Sequence, residues 1–160
     1  MPKLAIVRHG AAVPGGDSDA SRALTEQGQL QADAAGAWLS QHMPGAGILV
    51  SPYLRAQQTA AALVRHGLGQ GEGHTSGLVT SDALTPSGHP ERIVESLLLR
   101  TDDLILVSHL PLVGRLAALL VDGQVYDQPW STAECWVLEG DVFAAGCLSL
   151  VTSWYPALER

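Results

Sequence analysis

Three short, strongly apolar runs, Leu4 to Val7, Ile48 to Val50 and Leu104 to Val107, each lead into a stretch with helical character. This alternation constrains the fold more than any other feature, because fully apolar strands separated by helices bury both faces of a parallel sheet. Thr25 suits the N-cap of a helix with Leu30, Ala34, Ala37 and Trp38 as its apolar stripe. Ser51-Pro52 predicts an N-cap and a helix-opening proline for a second helix that runs to about Arg65. A weaker strand is expected near Leu78 to Val79, and Pro90 opens a helix with Ile93, Val94, Leu97 and Leu98 on one face. Pro111 to Val121 reads as an apolar helix. Beyond it, Glu134 to Leu138 and Cys147 to Thr152 read as strands joined by a Gly-containing turn, an antiparallel pair closing one edge. The expected fold is α/β: three layers, a mainly parallel central sheet with helices on both faces, and an antiparallel edge. With 160 residues and an apolar fraction of 46%, the chain suits one domain spanning 1–160.

The ends of the three strong strands carry the chemistry. The first ends in Arg8-His9-Gly10; the second in Ser51-Pro52, with Arg55 a turn further on; the third in Ser108-His109-Leu110-Pro111. Ligands of open parallel sheets bind beyond the carboxyl ends of the strands, so these clusters are expected to converge. Two arginines and two histidines at one mouth describe an anion site. A guanidinium grips phosphoryl oxygens through two parallel hydrogen bonds, and a helix N-terminus adds backbone donors.

Other chemistries are poorly supported. A net charge of -7, with acidic residues scattered along the chain, argues against a nucleic-acid surface. No apolar run approaches the roughly 18 residues of a membrane span, and the start "MPKLAIVRHG" is too briefly apolar for a signal peptide, so no membrane association and a cytoplasmic location are expected. Lys3 is the only lysine and precedes the first strand, which removes a phosphate-loop lysine, a Schiff base and a lysine base from consideration. The glycines of "HGLGQGEGHTSG" lack dinucleotide-loop spacing and read as a flexible surface connection. Cys135 and Cys147 read as two inert core thiols, and the acidic residues show no metal-ligand spacing. His42, His66, His74 and His89 lie in polar or loop contexts and are expected at the surface, whereas Trp38, Trp130, Trp136 and Trp154 are expected to pack in the core or at its edge.

The segments "VRHG", "SPYLRAQQTA" and "VSHLPLVG", in this order and spacing, resemble the histidine phosphatase superfamily, which includes the cofactor-dependent phosphoglycerate mutases. The small size, "SPYLRAQQT" and "SHLPLVG" most resemble its SixA-type phosphohistidine phosphatases, over Leu4 to about Val121. The resemblance implies that His9 is a nucleophile forming a phosphohistidine enzyme. It implies further that Arg8 and Arg55 hold the equatorial oxygens, and that His109 completes the pocket as a donor or proton carrier. Arg22, in "SRALTEQG", aligns with a further phosphate-binding arginine, against the alternative of a solvated loop cation. No metal and no cofactor is called for. The same logic follows from the chemistry, since a nucleophile splits hydrolysis into two phosphoryl transfers while cations stabilise the oxygens.

One departure from the wider superfamily is the missing insertion that supplies a general-acid carboxylate; the corresponding region is short and reads "SDALTPSGHPE". Asp19, in the loop after the first strand, could still reach the site as a general acid. An unlidded pocket suits a phosphorylated side chain on a protein better than a small sugar phosphate. The expected activity is therefore metal-independent hydrolysis of phosphohistidine on a protein partner of phosphotransfer or phosphocarrier type, by a monomer. A small-molecule phosphomonoesterase is the alternative enzyme. A non-catalytic module that binds phosphorylated proteins is the alternative from another class, and it would have no need of His9.

Overall fold

The computed structural model describes residues 1–70 and 77–157. In chain order the elements are β1 (Lys3–Arg8), α1 (Glu26–His42), β2 (Gly47–Val50), α2 (Leu54–Arg65), β3 (Leu78–Thr80), α3 (Pro90–Leu97), β4 (Leu104–Ser108), α4 (Leu112–Asp122), β5 (Cys135–Glu139) and β6 (Ser149–Trp154). Single 3-10 turns occupy Asp19–Ser21 and Asp82–Leu84. The strands form one sheet in the order β3-β2-β4-β1-β5-β6. β3, β2, β4 and β1 are parallel, while β5 and β6 are added antiparallel at the β1 side. The α/β architecture with an antiparallel edge is the one the strand–helix alternation predicts.

Period-two alternation sorts the sheet's side chains between two cores. Leu4 and Ile6 of β1 join Leu104 and Leu106 of β4 against Ile93 and Leu97 of α3 and Leu112, Leu116 and Leu120 of α4. Ala5 and Val7 join Ile105, Val107, Ile48 and Val50 on the opposite face, against Ala35 and Leu39 of α1 and Ala56, Ala60 and Leu63 of α2. Every residue of β4 is buried, which explains its unbroken apolar sequence. The connection leaving β1 runs through α1 on one face, and that leaving β4 runs through α4 on the other. Neighbouring strands whose connections part in this way open a crevice at their carboxyl ends. The register sets Arg8 opposite Ser108, and Val50 opposite Val107, so the ends of β1, β4 and β2 are level.

Several local expectations are corrected. α1 does begin at the Thr25 cap, whose hydroxyl accepts from Gly28 N at 2.9 Å, but its buried face is Gly28, Ala32, Ala35, Gly36 and Leu39. Leu30, the largest member of the predicted stripe, is 69% exposed. The helix packs by small residues instead: a Cβ at Gly36 would fall 2.6 Å from the His66 ring, so α1 and α2 approach closely through glycine and alanine. α2 starts at Leu54 with Tyr53 as its N-cap, so Ser51 and Pro52 precede the helix, and Leu98 lies past the end of α3 and is exposed. Cys147 precedes β6, which begins at Ser149, and its thiol is exposed; only Cys135 is a core thiol. Most of the glycine-rich connection, residues 71–76 with His74, lies outside the described residues. Trp130 stacks on Trp136 with ring centroids 4.8 Å apart, and Trp38 on Trp154 at 6.2 Å, which is the packing role expected of them. Among the described residues no helix is long and apolar enough to cross a membrane.

Candidate active site

The polar ends of β1, β2 and β4 meet at the crevice. His9 is the first residue after β1 and is only 6% exposed. Its backbone N donates to Ser108 O at 3.1 Å and its carbonyl accepts from Ala133 N at 2.9 Å, which ties the strand end to both neighbours. His9 Nδ1 lies 2.7 Å from Gly10 O. A carbonyl only accepts, so Nδ1 carries the proton and Nε2 keeps its lone pair. Burial is the main influence lowering the His9 pKa, to about 4 from an ordinary 6.5; Arg55, Arg8 and Arg22 lower it further, against the opposing pull of the Gly10 carbonyl. The imidazole is thus neutral at physiological pH.

Arg55, one residue into α2 and 4% exposed, spans the site. Its Nε donates to His9 Nε2 at 3.3 Å, its NH1 to Asp19 O at 2.7 Å and its NH2 to Asp19 Oδ2 at 3.2 Å. The guanidinium also lies over the Tyr53 ring, 5.1 Å from its centroid. Arg8 donates through NH1 to Trp130 O at 2.8 Å, and its Nε is buried without a partner among the described residues. His109 is 1% exposed, its ring 5.1 Å from that of His9 and 5.1 Å from that of Tyr53. Its Nε2 lies 2.7 Å from Ser51 Oγ, and its Nδ1 is buried with no partner among the described residues. Burial, then the neighbouring His9 and Arg55, push the His109 pKa down to about 3.

Asp19 and Arg22 lie on the rim. Arg22 donates through Nε to Val13 O at 2.6 Å and pairs through NH1 with Asp19 Oδ1 at 2.9 Å. Both line a cleft of about 270 Å3 with Pro14, Gly15, Gly16 and Ser18. The hydrogen bonds to Arg22, first, and to Arg55 hold the Asp19 carboxyl below the usual carboxylate range, so it is a carboxylate bridging two guanidinium groups. His9, Arg55 and His109 therefore meet at the level strand ends, with Arg8 next to His9 at the end of β1 and Asp19 and Arg22 at the edge. His42, His66 and His89 lie elsewhere; His66 pairs with Asp33 at 2.8 Å. Among the described residues no group of three His, Cys, Asp or Glu side chains is placed to hold a metal ion.

Sequence reasoning missed three supporting residues. Thr59 sits one turn after Arg55, accepts from Gly10 N at 3.1 Å and donates to Arg55 O at 2.8 Å, linking the His9 loop to α2. Ser51 holds His109. Gly28 lets α1 press on the backbone behind His9, for a Cβ there would collide with Ala11 O. Ser51 and Thr59 both stand in "SPYLRAQQT", and the four-residue spacing of Arg55 and Thr59 on one helix face was the available signal.

Residues 4–75 match the family described as the histidine phosphatase superfamily (branch 1). The chain is 36% identical over 127 residues to a phosphohistidine phosphatase SixA homolog of Haemophilus influenzae, covering 72% of this chain and 74% of that protein. It is 34% identical over 124 residues to the phosphohistidine phosphatase SixA of Escherichia coli, covering 74% of each. The solved structure of a protein histidine phosphatase SixA complexed with tungstate superposes with a TM-score of 0.81 at 28% identity, over 96% of both chains. The chain belongs to the histidine phosphatase superfamily, among its SixA-type members.

Proposed function

We propose that this protein is a phosphohistidine phosphatase that acts on a phosphorylated protein through a phosphoryl group carried on His9. The observation that carries the proposal is the state of His9: a buried, neutral imidazole with Nδ1 bonded to Gly10 O and Nε2 facing Arg55. In the first step Nε2 attacks phosphorus, the P–N bond to the substrate imidazole breaks, and that imidazole leaves neutral with the proton its ring carried. In the second, water attacks phosphorus, the bond to Nε2 breaks, and inorganic phosphate departs. Arg8 and Arg55 bind the equatorial oxygens, Arg55 exchanging the Asp19 carboxylate for the phosphoryl group, and His109 supplies a further hydrogen bond. Arg22 receives the phosphate at the rim. The names of the Haemophilus and Escherichia relatives support the substrate class.

The partner is read as a phosphotransfer or phosphocarrier protein, met by a monomer whose residues 1–160 act as one histidine-phosphatase-like domain. A reducing, cytoplasmic setting suits the two free cysteines. Rapid quench with a protein substrate labelled on phosphohistidine tests the mechanism. It is expected to trap an acid-labile, base-stable adduct on His9, with no adduct and no turnover in His9→Ala. Parent-like turnover by His9→Ala would sink the proposal.

A further inference from the structure

The hydrogen bonds around Ser51 specify something the site needs: which nitrogen of His109 holds its proton. Ser51 is fully buried, and its backbone N donates to Val107 O at 3.1 Å, so its position at the level of the β4 end is fixed. The hydroxyl has two neighbours, Tyr53 N at 3.2 Å and His109 Nε2 at 2.7 Å. An amide N–H only donates, so the Tyr53 contact uses a lone pair of Oγ and leaves the hydroxyl proton for His109. If Nε2 also donated to Oγ, the hydroxyl proton would be buried with no acceptor, an arrangement proteins avoid. Nε2 is then the acceptor and Nδ1 carries the proton.

That leaves Nδ1–H as a buried donor without a partner among the described residues, in a ring that His9 and Tyr53 flank at 5.1 Å each. An unpaired donor costs free energy in the empty site and is complementary to an anion, whereas a lone pair at the same place would repel a phosphoryl oxygen. We propose that Ser51 is a positioning residue: by donating to His109 Nε2 it fixes the neutral Nδ1–H tautomer, so that His109 offers its free N–H to the phosphoryl group. The assignment deepens the phosphatase reading and rests on it for the identity of the anion. It also resolves the role of His109, which acts as a hydrogen-bond donor in the uncharged form rather than as an imidazolium.

The test begins with the wild-type protein. Long-range proton–nitrogen NMR on the full chain labelled with nitrogen-15, with His109 assigned through His109→Gln, reads the tautomer directly at neutral pH. The expected result is Nδ1–H. In Ser51→Ala the restraint is lost and the Nε2–H form appears; kcat/KM toward a phosphohistidine protein falls about tenfold to a hundredfold, less than the hundredfold to thousandfold typical of deleting such a donor outright. Ser51→Thr, which keeps the hydroxyl, restores the tautomer and most of the rate. An Nε2–H tautomer in the wild type overturns the assignment, as does a parent-like rate or an unmoved tautomer in Ser51→Ala. Absence of phosphohistidine hydrolysis by the wild type counts against the phosphatase reading alone, because the tautomer of His109 is measured without substrate.

Discussion

Arg55 Nε lies 3.3 Å from His9 Nε2, so the side chain assigned to grip the phosphoryl group rests on the atom assigned to attack it. The same guanidinium spends its outer donors on the backbone and carboxylate of Asp19, at 2.7 and 3.2 Å. A cation already oriented by an anion at the mouth needs little reorganisation when a phosphoryl group replaces that anion. Such preorganisation is the main source of electrostatic catalysis.

The geometry depends on a fork, and lysine has none. Arg55→Lys keeps the positive charge and loses both the paired donors and the contact to Nε2. The expected loss in kcat/KM is on the order of tenfold to a thousandfold. Steady-state kinetics alongside circular dichroism will read it; a folded variant with parent-like kinetics would show that Arg55 is not a phosphate ligand.

The pKa values of His9 and His109 predict a pH profile with an unusually low acid limb. The proposed attack by His9 needs an unprotonated imidazole, and with a pKa of about 4 it stays so well below the ordinary 6.5. The logarithm of kcat/KM is expected to stay level on the acid side until about pH 5 and then drop, provided the substrate's own ionisation is corrected for. Stability follows the same sign. Both imidazoles bind protons more readily unfolded, near 6.5, than folded, near 4 and 3, so protons favour the unfolded chain. Their contribution is complete above about pH 6.5 and is lost as the pH falls from there through 4. Urea unfolding from pH 7 to pH 4 checks this, and a smaller loss of stability is expected in a His9→Gln variant.

A third prediction concerns the support behind the nucleophile. Gly10 and Gly28 face one another across the α1 N-terminus, and a Cβ at either would strike backbone of the opposing segment. Thr25 N and Gln31 Oε1 also hold Ala11, each at 2.9 Å. In an exposed helix Gly→Ala gains roughly 1 kcal/mol, but forcing a methyl into close-packed backbone costs about 1–3 kcal/mol. Gly28→Ala is therefore expected to be less stable in urea, and slower even where fully folded, because displacing Ala11 moves the Gly10 carbonyl that orients His9. A more stable Gly28→Ala variant would show that the loop yields easily.

The sequence revealed what depends on large apolar residues and on the ends of strands. β4 was legible because all five of its residues are buried, and Arg8, His9 and His109 because their strands end level in one sheet. The face of α1 was misread because it packs through Gly28, Ala32, Ala35 and Gly36, whose small side chains give a weak periodic signal beside that of the exposed Leu30. Ser51 was read as a helix cap, a fair local inference for Ser-Pro. Besides the local bond from Tyr53 N, its hydroxyl meets His109, 58 residues away, and local propensity carries no information about such a bond. Cys147 lies two residues before β6, an edge strand whose own first residues are exposed, so the apolar pattern there did not mark a buried face.

The last prediction separates phosphohistidine from phosphate esters by their leaving groups. An alkyl phosphate expels an alkoxide, which leaves slowly without a proton, and general-acid help is typically worth about 10² to 10⁴ in rate. Asp19 is the carboxyl group bonded to Arg55, and its surroundings suit it badly for supplying that proton. Arg22 and Arg55 both donate to it and hold its pKa below the usual carboxylate range, so it is a charged acceptor at working pH. Phosphohistidine needs no such help, since its imidazole departs neutral from the protonated ring. In peptides of matched sequence, phosphohistidine is expected to be cleaved with far higher kcat/KM than phosphoserine, with aryl phosphates between them because phenolates leave more easily than alkoxides. Asp19→Asn removes the anion from Arg55 without removing an acid. All three substrates should therefore respond alike in this variant, and tighter binding of tungstate is expected in a direct titration, because the guanidinium keeps its bond to the backbone carbonyl of residue 19 but no longer faces a competing carboxylate. Phosphoserine cleaved by the parent as fast as phosphohistidine would refute the leaving-group argument. A loss in Asp19→Asn confined to phosphoserine would make Asp19 the acid, and would require its carboxyl to leave both arginines during turnover.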